Sequence, residues 1–312
     1  MAEHIKHMKD GIYEKVMSKE FADRLMEAIE AKKVWAERDD ADAYEATGYL
    51  SSYLEKLIRL CLKDIADRNT EAVLSDEIEL TNQLVEMLAE RLPDLGHGHS
   101  VVKNQFLLKS LEHVANKTSP RKWEYPDTSL TKSFLFTNSH NDTSMVSELR
   151  KEIMSADRID FLVSFIRFSG LALLLPYLRD FTNKGGHLRV ITTTYMGATD
   201  PKAVVELAKL PNTEIHISYN VKETRLHAKS YIFHRDSQFS TAYIGSSNLS
   251  HAAIAEGLEW NMKITEQDMP SIMEKMTATF ETYWNSDEFQ VFHVEQKDEL
   301  IKAIDHERGR AG

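Results

Sequence analysis

A histidine and a lysine lie two positions apart in a segment that otherwise has the apolar pattern of a strand. The segment reads RLHAKSYIFH and is followed by a polar turn, RDSQ, and a second apolar run that ends in GSSN, residues 245–248. Because side chains alternate along a strand, His227 and Lys229 are predicted to project to one face. A hairpin would bring the GSSN turn beside them.

These side chains suit a phosphate group. An imidazole attacks phosphorus or donates a proton, an ammonium neutralises charge, and the Asn248 amide and Ser246 hydroxyl bind phosphate oxygens. His-x-Lys alone carries little weight, since it also occurs twice in the first nine residues. Its combination with GSSN favours a functional site over a solvated strand face.

The first third of the chain has helical apolar periodicity. Between residues 11 and 111 one stripe falls at 3.6 residues per turn, formed by Leu50, Leu54, Leu57, Ile58, Cys61 and Ile65. This pattern predicts a helical N-terminal bundle over residues 1–117, with Cys61 at a core position.

A segment without periodicity, TSPRKWEYPDTSLT at residues 118–131, is predicted to be a linker or strap. Residues 132–292 alternate between helix and strand patterns, which indicates a mixed sheet flanked by helices and an α+β fold class overall. Residues 293–312 are predicted to form a charged helix or tail. The predicted helices are 145–155, 171–182, 201–210 and 269–284, and the predicted strands are 159–166, 188–194, 214–218, 227–233, 240–244 and 258–264.

Composition limits the partners and the compartment. The net charge of -11 argues against a globally basic nucleic-acid coat, although residues 181–236 contain eight Lys/Arg against five Asp/Glu. With one cysteine, no signal-peptide pattern and no long apolar run, the sequence predicts a cytoplasmic protein without a membrane partner.

The two motifs resemble the His-x-Lys and Gly-Ser-x-Asn signature of the phospholipase D superfamily. Further strings are similar to the phospholipase D-like module at the N-terminus of some bacterial DEAD/DEAH-box helicases: ELRKEIMSADRIDFLVSFIRFSG, LRVITTTYMGATD and GLEWN. The helical start GIYEKVMSKEF and the LFTN stretch extend the likeness over nearly the whole chain. The resemblance implies a nuclease or phosphodiesterase that cleaves phosphodiesters, with DNA as the favoured substrate, and that uses neither metal nor cofactor.

The resemblance also implies a role for each site residue. One histidine forms a phosphohistidine and a second protonates the leaving oxygen, so His227 with its copy in a homodimer supplies both. Lys229 and Asn248 bind the non-bridging oxygens with help from Ser246, and Glu259 accepts a hydrogen bond from the catalytic imidazole.

Two departures from the family pattern stand out. The common pattern has an Asp five positions after the Lys, where this chain has His234, and Asp236 lies two further on. Neither a Walker A pattern nor an Asp-Glu-Ala-His motif occurs, so the helicase motor is absent. The chain is therefore expected to be either a fragment of a longer helicase-associated protein or a stand-alone relative.

Other readings stay open. One alternative is a catalytically silent module that binds nucleic acid or serves assembly, and a lower-ranked one is a lipid phosphodiesterase. Polar turns explain His97 and His99 better than a metal site does. Three aromatic residues are expected to be core, with stacking on single-stranded bases as the alternative: Trp260, Tyr283 and Trp284.

Overall fold

A computed structural model describes residues 9–40, 42–68, 71–92, 97–114, 118–119, 121–139, 143–219, 226–256 and 259–311. The chain divides into two compact units, Met1–Leu111 and Glu112–Gly312. None of the described helices combines the length and the apolar character that crossing a membrane requires.

The described residues of the first unit form three α-helices: α1 (Lys19–Glu30), α2 (Ala43–Asp67) and α3 (Val73–Ala89). Side chains cap the first two, because Ser18 Oγ accepts the Phe21 N–H at 3.3 Å and Asp42 Oδ1 accepts the Tyr44 N–H at 2.8 Å. Such caps satisfy backbone donors that a helix leaves unpaired at its start.

The apolar stripes of this unit are largely in contact with solvent. Leu54 is 56% exposed, Cys61 is exposed, and Ile78 is the one buried residue among those described in the unit. The expectation that Cys61 is a core position is therefore wrong. Helical periodicity identifies an amphipathic helix correctly, but it does not identify what covers the apolar face.

The described residues of the second unit form an eight-stranded mixed sheet. The strands are β1 (Phe134–Phe136), β2 (Arg158–Val163), β3 (His187–Thr193), β4 (Thr213–Ser218), β5 (Lys229–His234), β6 (Thr241–Gly245), β7 (Asn261–Thr265) and β8 (Phe289–Val291). Their order in the sheet is β1-β7-β6-β5-β2-β3-β4-β8. Strands β2, β3 and β4 pair in parallel, and the remaining neighbours pair antiparallel.

Five helices accompany the sheet: α4 (Met145–Ser155), α5 (Phe168–Asn183), α6 (Pro201–Ala208), α7 (Pro270–Trp284) and α8 (Lys297–Ala311). One apolar core contains buried residues of α4, α5, α6 and α8, and a second, on the opposite sheet face, contains Met273 and Phe280 of α7. Helices on both sides of a mixed sheet confirm the predicted α+β class.

The predicted hairpin is present, with β5 and β6 antiparallel and joined through the RDSQ turn. Helix α4 has the predicted bounds, while β5 begins two residues later than predicted, at Lys229. The short strands β1 and β8 were not predicted, because three residues give too little alternation to recognise.

The segment predicted as a linker or strap belongs to the second unit where it is described. The Asp127 N–H donates to Glu148 Oε2 at 2.6 Å, and Arg121 donates to the Met154 carbonyl at 2.7 Å. These bonds attach the segment to α4. The predicted domain boundaries at 117 and 292 remain predictions.

Candidate active site

The site begins with the contact between His227 and Lys229. His227 lies just before β5 and is exposed, whereas Lys229, the first residue of β5, is 6% exposed. Lys229 Nζ lies 2.9 Å from His227 Nδ1 and donates to the His227 carbonyl at 2.7 Å. The structure thus brings together the imidazole and the ammonium that the sequence predicted.

This contact bears on the tautomer of a neutral His227 ring. If the ammonium donates to Nδ1, that nitrogen accepts, and the neutral ring carries its proton on Nε2. Burial lowers the pKa of Lys229 below its ordinary value, and the negative charge of Glu259 opposes this shift. The lysine is therefore a buried cation with a nearby carboxylate.

Asn248 is held by the segment that follows β2. Its Oδ1 accepts the Phe165 N–H at 3.2 Å, and its side chain is almost completely buried. The Arg167 N–H donates to the Leu249 carbonyl at 2.8 Å, and Ile166 forms a parallel bridge with Leu249. Because its oxygen is already bonded, Asn248 offers its amide hydrogens, which is what binding an anion requires.

The two serines of the motif have different environments. Ser246 is exposed, and its Oγ accepts the Trp260 N–H at 3.3 Å. Ser247 is completely buried, donates to the Ala253 carbonyl at 3.1 Å and accepts from Asn261 Nδ2 at 2.7 Å. Ser246 therefore is the serine accessible to a ligand, while Ser247 stabilises the turn.

Gly245 is required by close packing. Its backbone φ lies outside the left-handed region, but an added Cβ would lie 2.1 Å from the Trp260 carbonyl oxygen. Any side chain would push β6 away from the segment that enters β7. The close approach of these two chain segments thus explains the glycine.

Glu259 is partly buried and lies at the entrance to β7. Its charge acts on Lys229, and it also contributes, after burial, to raising the pKa of Tyr231. In the part of the chain described here, the His227 ring contacts Lys229, and no hydrogen bond joins it to Glu259. The predicted bond between Glu259 and His227 remains a prediction.

The position where the family pattern has an aspartate belongs to a different network. His234 Nε2 lies 2.7 Å from Asp160 Oδ2, and Arg189 makes two bonds of 2.7 and 2.8 Å to the same carboxylate. Burial raises the pKa of Asp160, but the bonds from His234 and Arg189 outweigh it and hold the pKa below its usual range. The network of His234, Asp160 and Arg189 lies on the α7 side of the sheet, since Arg189 also bonds Glu281.

Asp236 lies outside this network. It is an exposed turn residue whose N–H donates to Asp157.

Sequence reasoning missed three residues that shape the site: Phe165, Ser247 and Asn261. Phe165 and Asn261 act through the backbone or through another side chain, so no motif spacing indicates them. The core assignment for Trp260 is wrong, because this side chain is 66% exposed.

Residues 149–284 match the family model described as cardiolipin synthase, PLD-like domain. No curated protein matches the chain. Among solved structures the chain is similar to NucT from Helicobacter pylori, with 18% identity, TM-score 0.41 and coverage of 52% of this chain and 99% of that one.

Two further solved structures have a similar TM-score and a sequence identity below 20%. The phospholipase D family member Nuc from Salmonella typhimurium has 17% identity, TM-score 0.41 and coverage of 52% and 98%. Phosphatidylserine synthase from Haemophilus influenzae Rd KW20 has 10% identity, TM-score 0.41 and coverage of 57% and 43%. The residues that match the family model include His227, Lys229, Ser246, Asn248 and Glu259. The predicted resemblance is confirmed for residues 149–284, which form a phospholipase D-like domain of the kind that acts on phosphodiester bonds.

Proposed function

We propose that this chain is a metal-independent phosphodiesterase that cleaves DNA through a phosphohistidine intermediate. The observation that carries the proposal is the 2.9 Å contact between the Lys229 ammonium and the His227 ring, next to a GSSN turn whose Asn248 is fixed by a main-chain bond. A nucleophile, a cation and amide donors are the groups that phosphoryl transfer needs at one phosphate.

Binding of the substrate changes the contact of Lys229. A phosphate oxygen is a stronger acceptor for an ammonium than a neutral imidazole is, because the bond is charge-assisted on both sides. As Lys229 Nζ turns to the phosphate, His227 Nδ1 is released and becomes able to carry the ring proton towards Glu259. The other ring nitrogen then has its lone pair free for attack.

The reaction has two steps. His227 nitrogen forms a bond to phosphorus while the bond to the leaving oxygen breaks, and that oxygen takes a proton from a second imidazole. Water then attacks phosphorus, its proton goes to that second imidazole, and the P–N bond breaks to restore His227. Lys229, Asn248 and Ser246 stabilise the charge on the non-bridging oxygens in both steps.

We infer that the second imidazole is His227 of another copy of the chain. The chain contains one complete His-x-Lys and Gly-Ser-x-Asn pair, so a two-fold axis through the site supplies the missing acid. In this arrangement the protein is a homodimer with one shared cleft.

An association with a helicase is a further part of the proposal. It is supported by the resemblance of the quoted strings to helicase-linked modules, and the single cysteine favours the cytoplasm as the compartment. Co-purification of the full-length protein with a DNA-dependent ATPase activity tests this association. Purification without such activity would restrict the proposal to a free-standing nuclease.

The test is cleavage of labelled single- and double-stranded DNA in excess EDTA. We expect the wild type to cleave and to elute as a dimer, and His227→Ala to lose cleavage while keeping the same elution volume. His187→Ala, which changes an exposed histidine at the start of β3, is the matched control and should behave as the wild type. An acid-labile phosphate adduct that is present in the wild type and absent in His227→Ala identifies the intermediate.

Loss of cleavage on EDTA addition would exclude the metal-independent reaction. Equal DNA binding by wild type and His227→Ala without any cleavage would instead support the silent binding module.

A further inference from the structure

Trp260 combines a fixed backbone with an exposed ring. The Ser246 N–H donates to the Trp260 carbonyl at 3.2 Å, and the Trp260 N–H donates to Ser246 Oγ at 3.3 Å. The side chain between these bonds is 66% exposed. An exposed indole therefore lies beside the phosphate-binding motif, where its apolar face is available to a ligand.

The surface next to Trp260 is also apolar. Met262 lies two residues further along, on the same side of the chain, and it pairs across the sheet with Leu135 on one side and Ile244 on the other. These three side chains are 36%, 45% and 44% exposed respectively. We call Trp260, Met262, Ile244 and Leu135 the apolar row. It begins beside the motif turn and crosses three strands on the α7 side of the sheet, whereas Lys229 lies on the opposite side with Tyr231.

The opposite flank of the motif carries a cation and a second aromatic residue. Phe165 is bonded through its N–H to Asn248, and Arg167 is bonded through its N–H to the Leu249 carbonyl. The Arg167 side chain is 43% exposed, with its guanidinium 5.9 Å from the centre of the Phe165 ring. The polar motif thus lies between an aromatic and basic flank and an aromatic and apolar flank.

The net negative charge of the chain favours a single-stranded substrate over a double-stranded one. A duplex presents phosphates outward and keeps its bases stacked inside, so its binding depends on many cationic contacts. This chain has a net charge of -11, which opposes that mode. A single strand also offers unpaired base faces, and stacking on aromatic side chains supplies affinity that does not depend on net charge.

We propose, building on the proposed phosphodiesterase function, that the substrate is single-stranded nucleic acid and that the base next to the scissile phosphate stacks on Trp260. Lys229 and Asn248 hold the phosphate, and Trp260 holds the adjacent base at the edge of the sheet. Trp260 is then a residue that determines specificity for unpaired bases.

The test compares Trp260→Ala, Trp260→Phe and the control Trp35→Ala, which removes a fully exposed tryptophan of the first unit. The probes are a DNA 12-mer, the same 12-mer with abasic sites at the scissile position, and its duplex, all in EDTA. We expect Trp260→Ala to lower kcat/KM for the single strand about 10- to 100-fold, mainly through KM, the size of a lost base stack. Trp260→Phe should keep most of the activity, and the abasic 12-mer should not distinguish Trp260→Ala from the wild type.

Binding of the same probes by fluorescence anisotropy, with the His227→Ala protein as host, separates the two claims. If the wild type binds but cleaves nothing, the proposed reaction fails, and base-dependent loss of binding on Trp260→Ala still supports stacking. If Trp260→Ala lost as much binding to the abasic 12-mer as to the complete 12-mer, the stacking proposal would be overturned. A shift of Trp260→Ala to a monomer on a sizing column would also overturn it, because Trp260 would then be a contact between copies of the chain.

Discussion

At the scale of single residues, the candidate site depends on the charge of Lys229. This lysine is almost completely buried, burial lowers its pKa, and the Glu259 carboxylate is the charge that opposes this effect. The lysine must be protonated to neutralise a phosphate. Its ability to act therefore depends on Glu259, which does not bond to it directly.

We expect Glu259→Gln to move the alkaline limb of the activity profile to lower pH. Removing the carboxylate charge lowers the pKa of Lys229 further, so the ammonium loses its proton at a lower pH than in the wild type. The glutamine amide has nearly the shape of the carboxylate, so the substitution removes the charge with little change in packing. The measurement is kcat/KM as a function of pH, from roughly pH 6 to roughly pH 10, which covers the range where a buried lysine loses its proton.

Glu274→Gln, which changes an exposed carboxylate on α7, is the control and should leave the profile unchanged. If Glu259→Gln moved the acidic limb instead, the carboxylate would be acting on an imidazole and not on the lysine.

The site residues differ in how far the sequence predicts them. His227, Lys229 and Asn248 could be predicted because strand alternation and a short turn place them together without knowledge of the remaining fold. Trp260 and Ser247 could not, since their burial depends on how the segment before β7 packs against β6. Adjacent serines in a turn are equivalent until that packing is known.

At the scale of elements, a buried group of charges joins α4 to the sheet. Lys263 of β7 lies 2.9 Å from Glu148 Oε1 and 3.0 Å from Glu152 Oε1, and Arg235 and Tyr243 also bond Glu152. Burial raises the pKa of Glu152, but Arg235 and Lys263 outweigh this and lower it to about 2. A buried charge with several partners fixes the position of the helix on the sheet.

We expect this carboxylate to contribute to acid sensitivity. The pKa of Glu152 is lower in the folded chain than in the unfolded one, so its contribution is complete above about pH 4.5 and is lost as the pH falls towards 2. The loss amounts to roughly 3 kcal/mol for a shift of this size. Urea unfolding at a series of pH values gives the free energy of unfolding as a function of pH. We expect this free energy to fall less steeply in acid for Glu152→Gln than for the wild type, although the variant is less stable at neutral pH. An acid limb as steep as that of the wild type would contradict this assignment.

Helix α5 determines the position of the motif loop through one glycine. An added Cβ at Gly170 would lie 2.5 Å from the Ser250 Cα, two residues after Asn248. Backbone atoms cannot move aside as a flexible side chain does, so Gly170→Ala must displace the loop. We expect kcat/KM to fall by about 10- to 100-fold, the effect of a displacement of about 1 Å at a reacting group.

Gly309→Ala is the matched control, because its Cβ meets nothing within 4 Å in α8. That variant should keep full activity, because no neighbouring atom opposes the added methyl group. Unchanged activity in Gly170→Ala would show that the loop accommodates the methyl group without moving Asn248.

Element types were more predictable than their arrangement. The helix and strand rhythm of residues 145–284 follows from periodicity, but the position of β1 beside β7 depends on contacts distant in sequence. Asp160, Arg189 and Lys263 interrupt apolar strands, which is a signal of buried ion pairs. The sequence does not show which charge pairs with which.

At the scale of the whole molecule, the two units differ in how they use apolar residues. The second unit buries two clusters on the two faces of one sheet, whereas the described residues of the first unit include one buried side chain, Ile78. Both units have regular apolar periodicity in sequence. Periodicity alone therefore could not distinguish a packed core from an exposed helical face.

The reactivity of Cys61 measures the state of the α2 face in solution. This cysteine is exposed and lies among Leu54, Leu57 and Ile58, which are 56%, 41% and 38% exposed. A thiol in contact with solvent reacts with a disulfide reagent at a rate set by access and thiolate fraction. We therefore expect the native protein to react with Ellman's reagent within about threefold of the rate in urea, as for an accessible thiol.

Cys61→Ser should abolish the reaction, because the chain has no other cysteine. Strong protection of the native thiol that weakens on dilution would mean that another copy of the chain covers the α2 face, and protection that is independent of concentration would mean that the same chain covers it.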